Sequence, residues 1–134
     1  MLDPHSALIY TMVIVSAADR DMTDDELEVI GEIVGHLPVF RSFDRQQLSE
    51  VLKACTELLG HDNGLGEALT QIKAALPANL RETAYAVACD VAAADGEASQ
   101  EELRVLEMMR HRFSIDRLIA AGIERGARAR FQTL

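Results

Sequence analysis

At 134 residues the chain is long enough for one domain with a sizeable buried core, so neither a disulfide nor a metal is needed merely to fold it. Apolar residues make up 49% of the chain, tryptophan is absent and aromatic residues are only 4%, a composition that favours close helix packing over a sheet core. The formal net charge of −9 argues against general nucleic-acid binding, which needs a basic surface.

The first two predicted helices flank a strongly acidic segment. Asp3 is a predicted N-cap, and the apolar residues after it predict a core helix that continues to about Ala18. Thr23 and Glu26 have the spacing of a capping box that opens a second helix, which ends near residue 35. The predicted apolar stripe of this second helix consists of Leu27, Ile30, Ile33 and Val34.

Two further helices complete the first half of the chain. Asp44 and Gln47 have capping-box spacing, and the apolar stripe from Leu48 to Leu59 predicts a third helix. A fourth helix is predicted from about Leu65 to Leu76, where the following proline stops it.

The second half predicts three helices. Asn79 and Glu82 form the predicted capping box of the fifth helix. Ser99 and Glu102 form that of the sixth, which carries Leu103, Leu106 and Met109. Ser114 is the predicted cap of a seventh helix, which frays after residue 126. From residue 104 onward the chain holds seven arginines against three acids. This basic excess either stabilises helix C-termini or contacts an anionic partner or membrane.

An internal repeat relates the two halves. Residues 17–30 and 93–106 share the template Ala-Ala-Asp-x-(Asp/Glu)-x-(Thr/Ser)-x-x-Glu-Leu at an offset of 76 residues, and each copy joins an incoming apolar helix to an outgoing amphipathic one. We therefore expect a single all-α domain over residues 1–134, with two pseudo-symmetric helix-loop-helix units near residues 4–34 and 80–112. If the two loops lie on the same side, their acids form one cluster.

The repeated segments hold the whole net charge of the protein. Residues 19–28 contain six acids and one arginine, and residues 95–102 contain four acids and no base, whereas the rest of the chain balances twelve acids against twelve bases. Alternate carboxylates followed by a hydroxyl and a glutamate resemble the oxygen-rich sites that Ca²⁺ prefers. A standard EF-hand is excluded, because neither copy has glycine at loop position six or glutamate at position twelve.

Three interpretations of these segments remain open. Capping boxes and the helix dipole account for Thr23, Glu26, Ser99 and Glu102 without any function, and for the acids beside them. The acids that precede the caps are less well explained in this way. The cluster could bind a divalent cation, dock a basic protein surface without metal, or form only a solvated acidic face. The acids before the caps are Asp19, Asp21, Asp95 and Glu97.

No catalytic pattern is present in the sequence, so we expect a non-enzymatic protein. The four histidines are scattered, no glycine-rich phosphate loop occurs, and Cys55 and Cys89 lack metal or redox spacing and are expected to be buried. Asp90 is predicted either to face solvent or to add a carboxylate to the acidic cluster. Without a signal peptide or a transmembrane segment, the protein is expected to be cytoplasmic.

The phrase Ala-Ala-Asp-Gly-Glu-Ala-Ser-Gln-Glu-Glu-Leu at residues 93–103, with its copy at residues 17–27, resembles the TerB-like tellurite-resistance family over most of the chain. The resemblance implies a compact helical module with an accessory role in resistance to tellurite or other stresses. It also implies a protein partner, such as an integral membrane protein at the inner face of the membrane, and an acidic surface that binds a divalent metal. The matching positions are Asp19, Asp21, Thr23, Glu26, Asp95, Glu97, Ser99 and Glu102.

One position departs from this pattern. The glycine that follows the first aspartate is present as Gly96 in the second copy, but Arg20 replaces it in the first. If the loop requires positive φ there, arginine is strained in the first copy, and its guanidinium could also pair with a nearby carboxylate. Either effect would weaken cation binding by the first loop.

Overall fold

The computed structural model describes residues 2–19, 22–94 and 96–134. Over these ranges the chain forms seven α-helices and three short 3-10 turns, with no strand, which confirms the predicted all-α fold. The helices are α1 (Pro4–Ser16), α2 (Asp24–His36), α3 (Leu48–Leu59), α4 (Gly64–Ala75), α5 (Arg81–Ala93), α6 (Gln100–Arg112) and α7 (Arg117–Arg130).

Helix α1 is the centre of the core. Every residue from Ala7 to Ser16 is buried, as expected for a helix that is apolar on all sides. It packs against α3, α4 and α5, and more lightly against α2 and α6. Asp3 caps it by accepting a hydrogen bond from the Ser6 backbone amide at 2.8 Å. The helix ends two residues before the predicted boundary at Ala18.

The two repeat units pack across each other. Helix α1 lies against α5, while α2 of the first unit packs on α5 and α6 of the second unit packs on α1. This exchange of partners is what a pseudo-symmetric pair of helix-loop-helix units produces. It places the loop that enters α2 and the loop that enters α6 at the same end of the molecule, where the carboxyls of the two helix starts meet.

Three predicted caps are wrong, and each has a local reason. Asp44 accepts from the Gln46 amide and so caps a 3-10 turn, leaving α3 to begin at Leu48 without a side-chain cap. Asn79 lies inside another 3-10 turn that follows Pro77, so no capping box forms with Glu82.

The predicted cap of α7 fails for a different reason. Ser114 has a positive φ of 55° and helps to terminate α6, with the next residue, Ile115, donating its amide to the Arg110 carbonyl at 3.0 Å. Asp116 caps α7 instead, accepting from the amides of Leu118 and Ile119.

Helix α7 also continues to Arg130 rather than fraying after residue 126. Two contacts with α5 hold its second half in place. The Tyr85 hydroxyl donates to Glu124 Oε2 at 2.6 Å, and Arg130 forms an ion pair with Asp90. Asp90 therefore neither faces solvent alone nor joins the acidic cluster, because its partner is on α7.

Candidate functional site

The two predicted capping boxes of the repeat are present, and their geometry is nearly identical. In the first, the Thr23 amide donates to Glu26 Oε1 at 3.0 Å and the Glu26 amide donates to Thr23 Oγ1 at 3.1 Å. In the second, the Ser99 amide donates to Glu102 Oε1 at 2.9 Å and the Glu102 amide donates to Ser99 Oγ at 3.1 Å. Each glutamate thus uses one carboxyl oxygen, Oε1, to start its helix.

The second carboxyl oxygens of the same two glutamates, the Oε2 atoms, take no part in the capping boxes. Glu26 is 1% exposed and Glu102 is 2% exposed, and Oε2 of each is buried without a hydrogen-bond partner among the described residues. The two carboxyl groups are within hydrogen-bonding contact of each other across the interface of the two units. Because two carboxylates only accept hydrogen bonds, this contact is repulsive unless a proton or a cation lies between them.

The environment of this pair, which we call the glutamate pair, disfavours a second negative charge. Burial is the main cause that raises the pKa of Glu102, to about 8, and the contact with Glu26 adds to it. The hydrogen bond from the Ser99 amide acts in the opposite direction, while charge repulsion from Glu26 and Asp19 raises the pKa further. Burial and the contact with Glu26 therefore both favour the protonated form of Glu102.

The other predicted site residues fall into three groups. Asp19 is half-buried and close enough to influence Glu102, and Thr23 and Ser99 are half-buried caps. Glu97 is exposed to solvent. Asp21 and Asp95 lie outside the described residues. Among residues 2–19, 22–94 and 96–134, no three His, Cys, Asp or Glu side chains are grouped so as to hold a metal ion.

The glutamate pair is the part of the site that sequence reasoning undervalued. The predicted apolar stripes included Leu27 and Leu103, but these leucines are 41% and 54% exposed. The buried face is displaced by one residue and includes Glu26 in α2 and Glu102 in α6 instead. Helical spacing carried a signal for this, because Glu26 lies four residues before the buried Ile30 and Glu102 lies four before Leu106.

The glycine of the second loop has the conformation that its position suggested. Gly96 has a φ of 101°, a region that L side chains rarely adopt. A Cβ built there would meet nothing within 4 Å, so a substitution would be opposed by the backbone conformation and not by a clash. Arg20, which replaces this glycine in the first loop, lies outside the described residues.

The cysteines offer no reactive group. Cys55 and Cys89 are both buried, as predicted, and burial raises the pKa of each thiol to about 12. Neutral buried thiols are poor nucleophiles and poor metal ligands. Among the described residues, none of the helices combines the length and apolar character required to cross a bilayer.

Comparison with known proteins gives one match. The family model described as "Tellurite resistance protein TerB" matches residues 5–122, which include both repeat units and both acidic loops. No curated protein and no solved structure matches the chain.

Proposed function

The chain belongs to the TerB family, and we propose that it is a non-enzymatic accessory protein whose two acidic loops form one divalent-cation site around the glutamate pair. The observation that carries this proposal is that Glu26 and Glu102, from equivalent positions of the repeat, face each other with buried and unpartnered Oε2 atoms. Resistance to tellurite or another stress, a cytoplasmic location and an integral membrane partner are parts of the proposal that rest on the family alone.

The donor chemistry of the pair suits a hard cation. Ca²⁺ takes about six to eight oxygen ligands, and carboxylates are its preferred protein donors. Glu26 and Glu102 would supply one oxygen each while keeping their caps, since the caps use only Oε1. Water and the loop acids Asp19, Asp21 and Asp95 are the candidates for the remaining ligands. The cation would supply a positive charge that two buried carboxylates lack.

In this proposal a proton competes with the cation. With no cation bound, the protonated form of Glu102 is favoured, and a cation must displace this proton. The apparent affinity for the cation should therefore rise by up to about tenfold for each pH unit below pH 8 and level off above it. This coupling separates binding at the pair from weak binding at the exposed surface acids.

The test measures thermal unfolding of chelator-stripped protein with and without millimolar Ca²⁺ or Mn²⁺, at pH 6 and pH 9. We expect the ions to raise the melting temperature, by binding the folded state, and to do so more strongly at pH 9. Glu26→Gln and Glu102→Gln should abolish the effect, because the amide keeps the cap but loses the charge. Glu101→Gln is the matched control, since Glu101 is the exposed neighbour of Glu102.

An unchanged melting temperature at both pH values would overturn the cation site. So would an ion effect that survives Glu102→Gln and is lost in Glu101→Gln, because that result would assign binding to the exposed acids.

A second candidate function is a docking face for a basic protein surface without metal. It is favoured by the exposed acids around the pair, none of which forms an ion pair within the described part of the chain. These acids are Asp24, Asp25, Glu28, Glu97 and Glu101. A partner retained after chelation, but released by Asp24→Asn with Asp25→Asn and not by Glu102→Gln, would support this function over the first.

A further inference from the structure

Helix α7 lies on the outside of the helix bundle and exposes one long side. It packs mainly on α5, and within it only Ala120 and Ala127 are buried. The residues on its opposite side are exposed and follow the spacing i, i+3, i+4, i+7 and i+11, so they form one stripe along the helix. This stripe, which we call the outer stripe, consists of Leu118, Ala121, Gly122, Arg125 and Ala129.

The exposed side of α7 carries positive charge and no acid. The only acid within α7, Glu124, is turned towards α5, where it accepts the hydrogen bond from the Tyr85 hydroxyl. One of the four arginines of the helix, Arg130, is paired with Asp90. The other three have no ion pair among residues 2–19, 22–94 and 96–134, and they are Arg117, Arg125 and Arg128.

The helix dipole accounts for only part of this charge. Arg128 lies in the last turn of α7, where a cation is stabilised. Arg117 is the first residue of the helix, where the positive end of the dipole disfavours a cation, and Arg125 lies before the last turn. Arg117 also lines a groove of about 650 Å³ over α5 that contains acids, but Arg125 does not. Helix stability therefore explains neither Arg117 nor Arg125.

Exposed apolar side chains lie beside these arginines. Leu118 is 81% exposed, more than any other large apolar side chain in the described helices, and Ile119 next to it is 41% exposed. Arginines and an exposed leucine on one helix are the combination that binds the interface of an anionic bilayer. The arginines attract the headgroups, and the leucine enters the boundary between headgroups and acyl chains.

The acidic loops are too far from the start of α7 to oppose this contact. Helix α6 begins at the second loop and ends at Arg112, a few residues before α7 begins. Its 13 residues span about 20 Å, whereas the Debye length at physiological ionic strength is about 8 Å. Salt therefore screens the start of α7 from the acids at the other end of α6.

The size of this surface favours a bilayer over a folded partner. The 14 residues of α7 span about 21 Å, so a side about 10 Å wide offers roughly 200 Å². A stable protein interface buries about 800 Å² on each partner. Anionic headgroups attract single arginines one at a time and require no such minimum area.

We propose that the outer stripe of α7, with Arg117 and Arg128 beside it, binds the surface of an anionic lipid bilayer and inserts Leu118 at the level of the headgroups. The contact is peripheral and reversible, because each arginine contributes only about fivefold in affinity and a single leucine adds the apolar part. It requires neither the cation site at the glutamate pair nor a protein partner.

The test measures co-sedimentation of the full chain with vesicles of phosphatidylcholine, with and without phosphatidylglycerol. Arg117→Gln and Arg125→Gln each remove one charge, and Arg104→Gln is the matched control because Arg104 is exposed on α6. Leu118→Ser removes the inserting side chain, and Leu103→Ser, at a leucine 54% exposed on α6, is its control. Equal melting temperatures establish that these exposed substitutions leave the fold intact.

We expect binding that requires phosphatidylglycerol and weakens as salt is added. Each of Arg117→Gln and Arg125→Gln should lower the affinity by about fivefold, and Leu118→Ser by about threefold to tenfold. Arg104→Gln and Leu103→Ser should leave it unchanged.

The absence of tryptophan from the chain provides a second readout. Leu118→Trp places a single tryptophan at the proposed point of insertion, and Leu103→Trp places one on α6. With phosphatidylglycerol vesicles, the emission of Leu118→Trp should shift to shorter wavelength, because the indole leaves water, while that of Leu103→Trp stays unchanged.

The proposal is overturned if the chain does not bind phosphatidylglycerol vesicles, or binds phosphatidylcholine vesicles equally well. It is also overturned if the α6 controls lose as much affinity as the α7 variants, or if the emission of Leu118→Trp does not shift. Binding of polyglutamate that depends on Arg125, without binding of vesicles, would assign the surface to an acidic protein instead.

Discussion

The two repeat units share a template, yet the structure surrounds them differently. At the loops they are nearly equivalent, with matching capping boxes and two buried glutamates in contact. At the flanks they differ, because α1 is enclosed on all sides whereas α5 borders a groove. Equivalent sequence positions in the two units therefore do not have equivalent surroundings. The loops bring two buried carboxyl groups into contact, whereas the flank of α5 borders a groove.

The largest expected effect contrasts equivalent positions of the two central helices. Ile9 in α1 corresponds to Tyr85 in α5, and both are buried. Ile9→Ala leaves a cavity in an enclosed site and should lower the free energy of unfolding in urea by about 2 to 5 kcal/mol. Tyr85→Phe loses only the hydrogen bond to Glu124 and should cost about 1 kcal/mol. Equal losses would contradict the ranking of a cavity in the core above the loss of one hydrogen bond.

The next largest effect concerns the glutamate pair, to which both helix starts contribute one residue. In chelator-treated protein, the contribution of Glu102 to stability is fully present below its ordinary pKa of 4.5 and is lost as pH rises through about 8, because its folded-state pKa is raised. At about 1.4 kcal/mol for each unit of pKa difference, the loss reaches the order of a few kcal/mol. Glu102→Gln should remove this dependence and be more stable than the wild type at pH 9. A free energy of unfolding of the wild type that stays level or rises from pH 5 to pH 9 would contradict the raised pKa of Glu102.

A smaller effect tests the equivalence of the caps. Thr23→Ala and Ser99→Ala each remove one hydroxyl that accepts a hydrogen bond from a backbone amide, with a donor–acceptor distance of 3.1 Å in both cases. We expect each to cost about 1 kcal/mol in thermal or urea unfolding. A difference of more than about 1 kcal/mol between the two variants would mean that the loops are less alike in energy than in geometry.

The smallest expected effect tests whether Gly96 is required by its backbone conformation. Gly96→Ala forces a side chain into a positive φ and should destabilise the protein by about 1 kcal/mol. Gly31→Ala in α2 meets nothing within 4 Å and should stabilise it by up to about 1 kcal/mol, because alanine is the better helix former. Opposite signs in these two variants, read from melting curves, check that the loop glycine is required by its backbone conformation.

Local features were predictable where local contacts decide them. The caps at Asp3, Thr23 and Ser99 were correct because each accepts a hydrogen bond from an amide three residues later in the helix that it opens. The caps predicted at Asn79 and Ser114 failed because 3-10 turns and a left-handed residue end or begin the helices differently. A sequence pattern for a cap does not distinguish between these outcomes.

The sequence by itself determined the all-helical class, the doubled template, the concentration of charge and the two capping boxes, because periodicity and hydrogen bonds within one helix turn are local. Only the tertiary structure decided that Glu26 and Glu102 are buried against each other while Leu27 and Leu103 are exposed. Which face of an amphipathic helix is buried depends on what packs against it. Packing across the two units therefore gave the capping glutamates a second contact, and left the groove over α5 open.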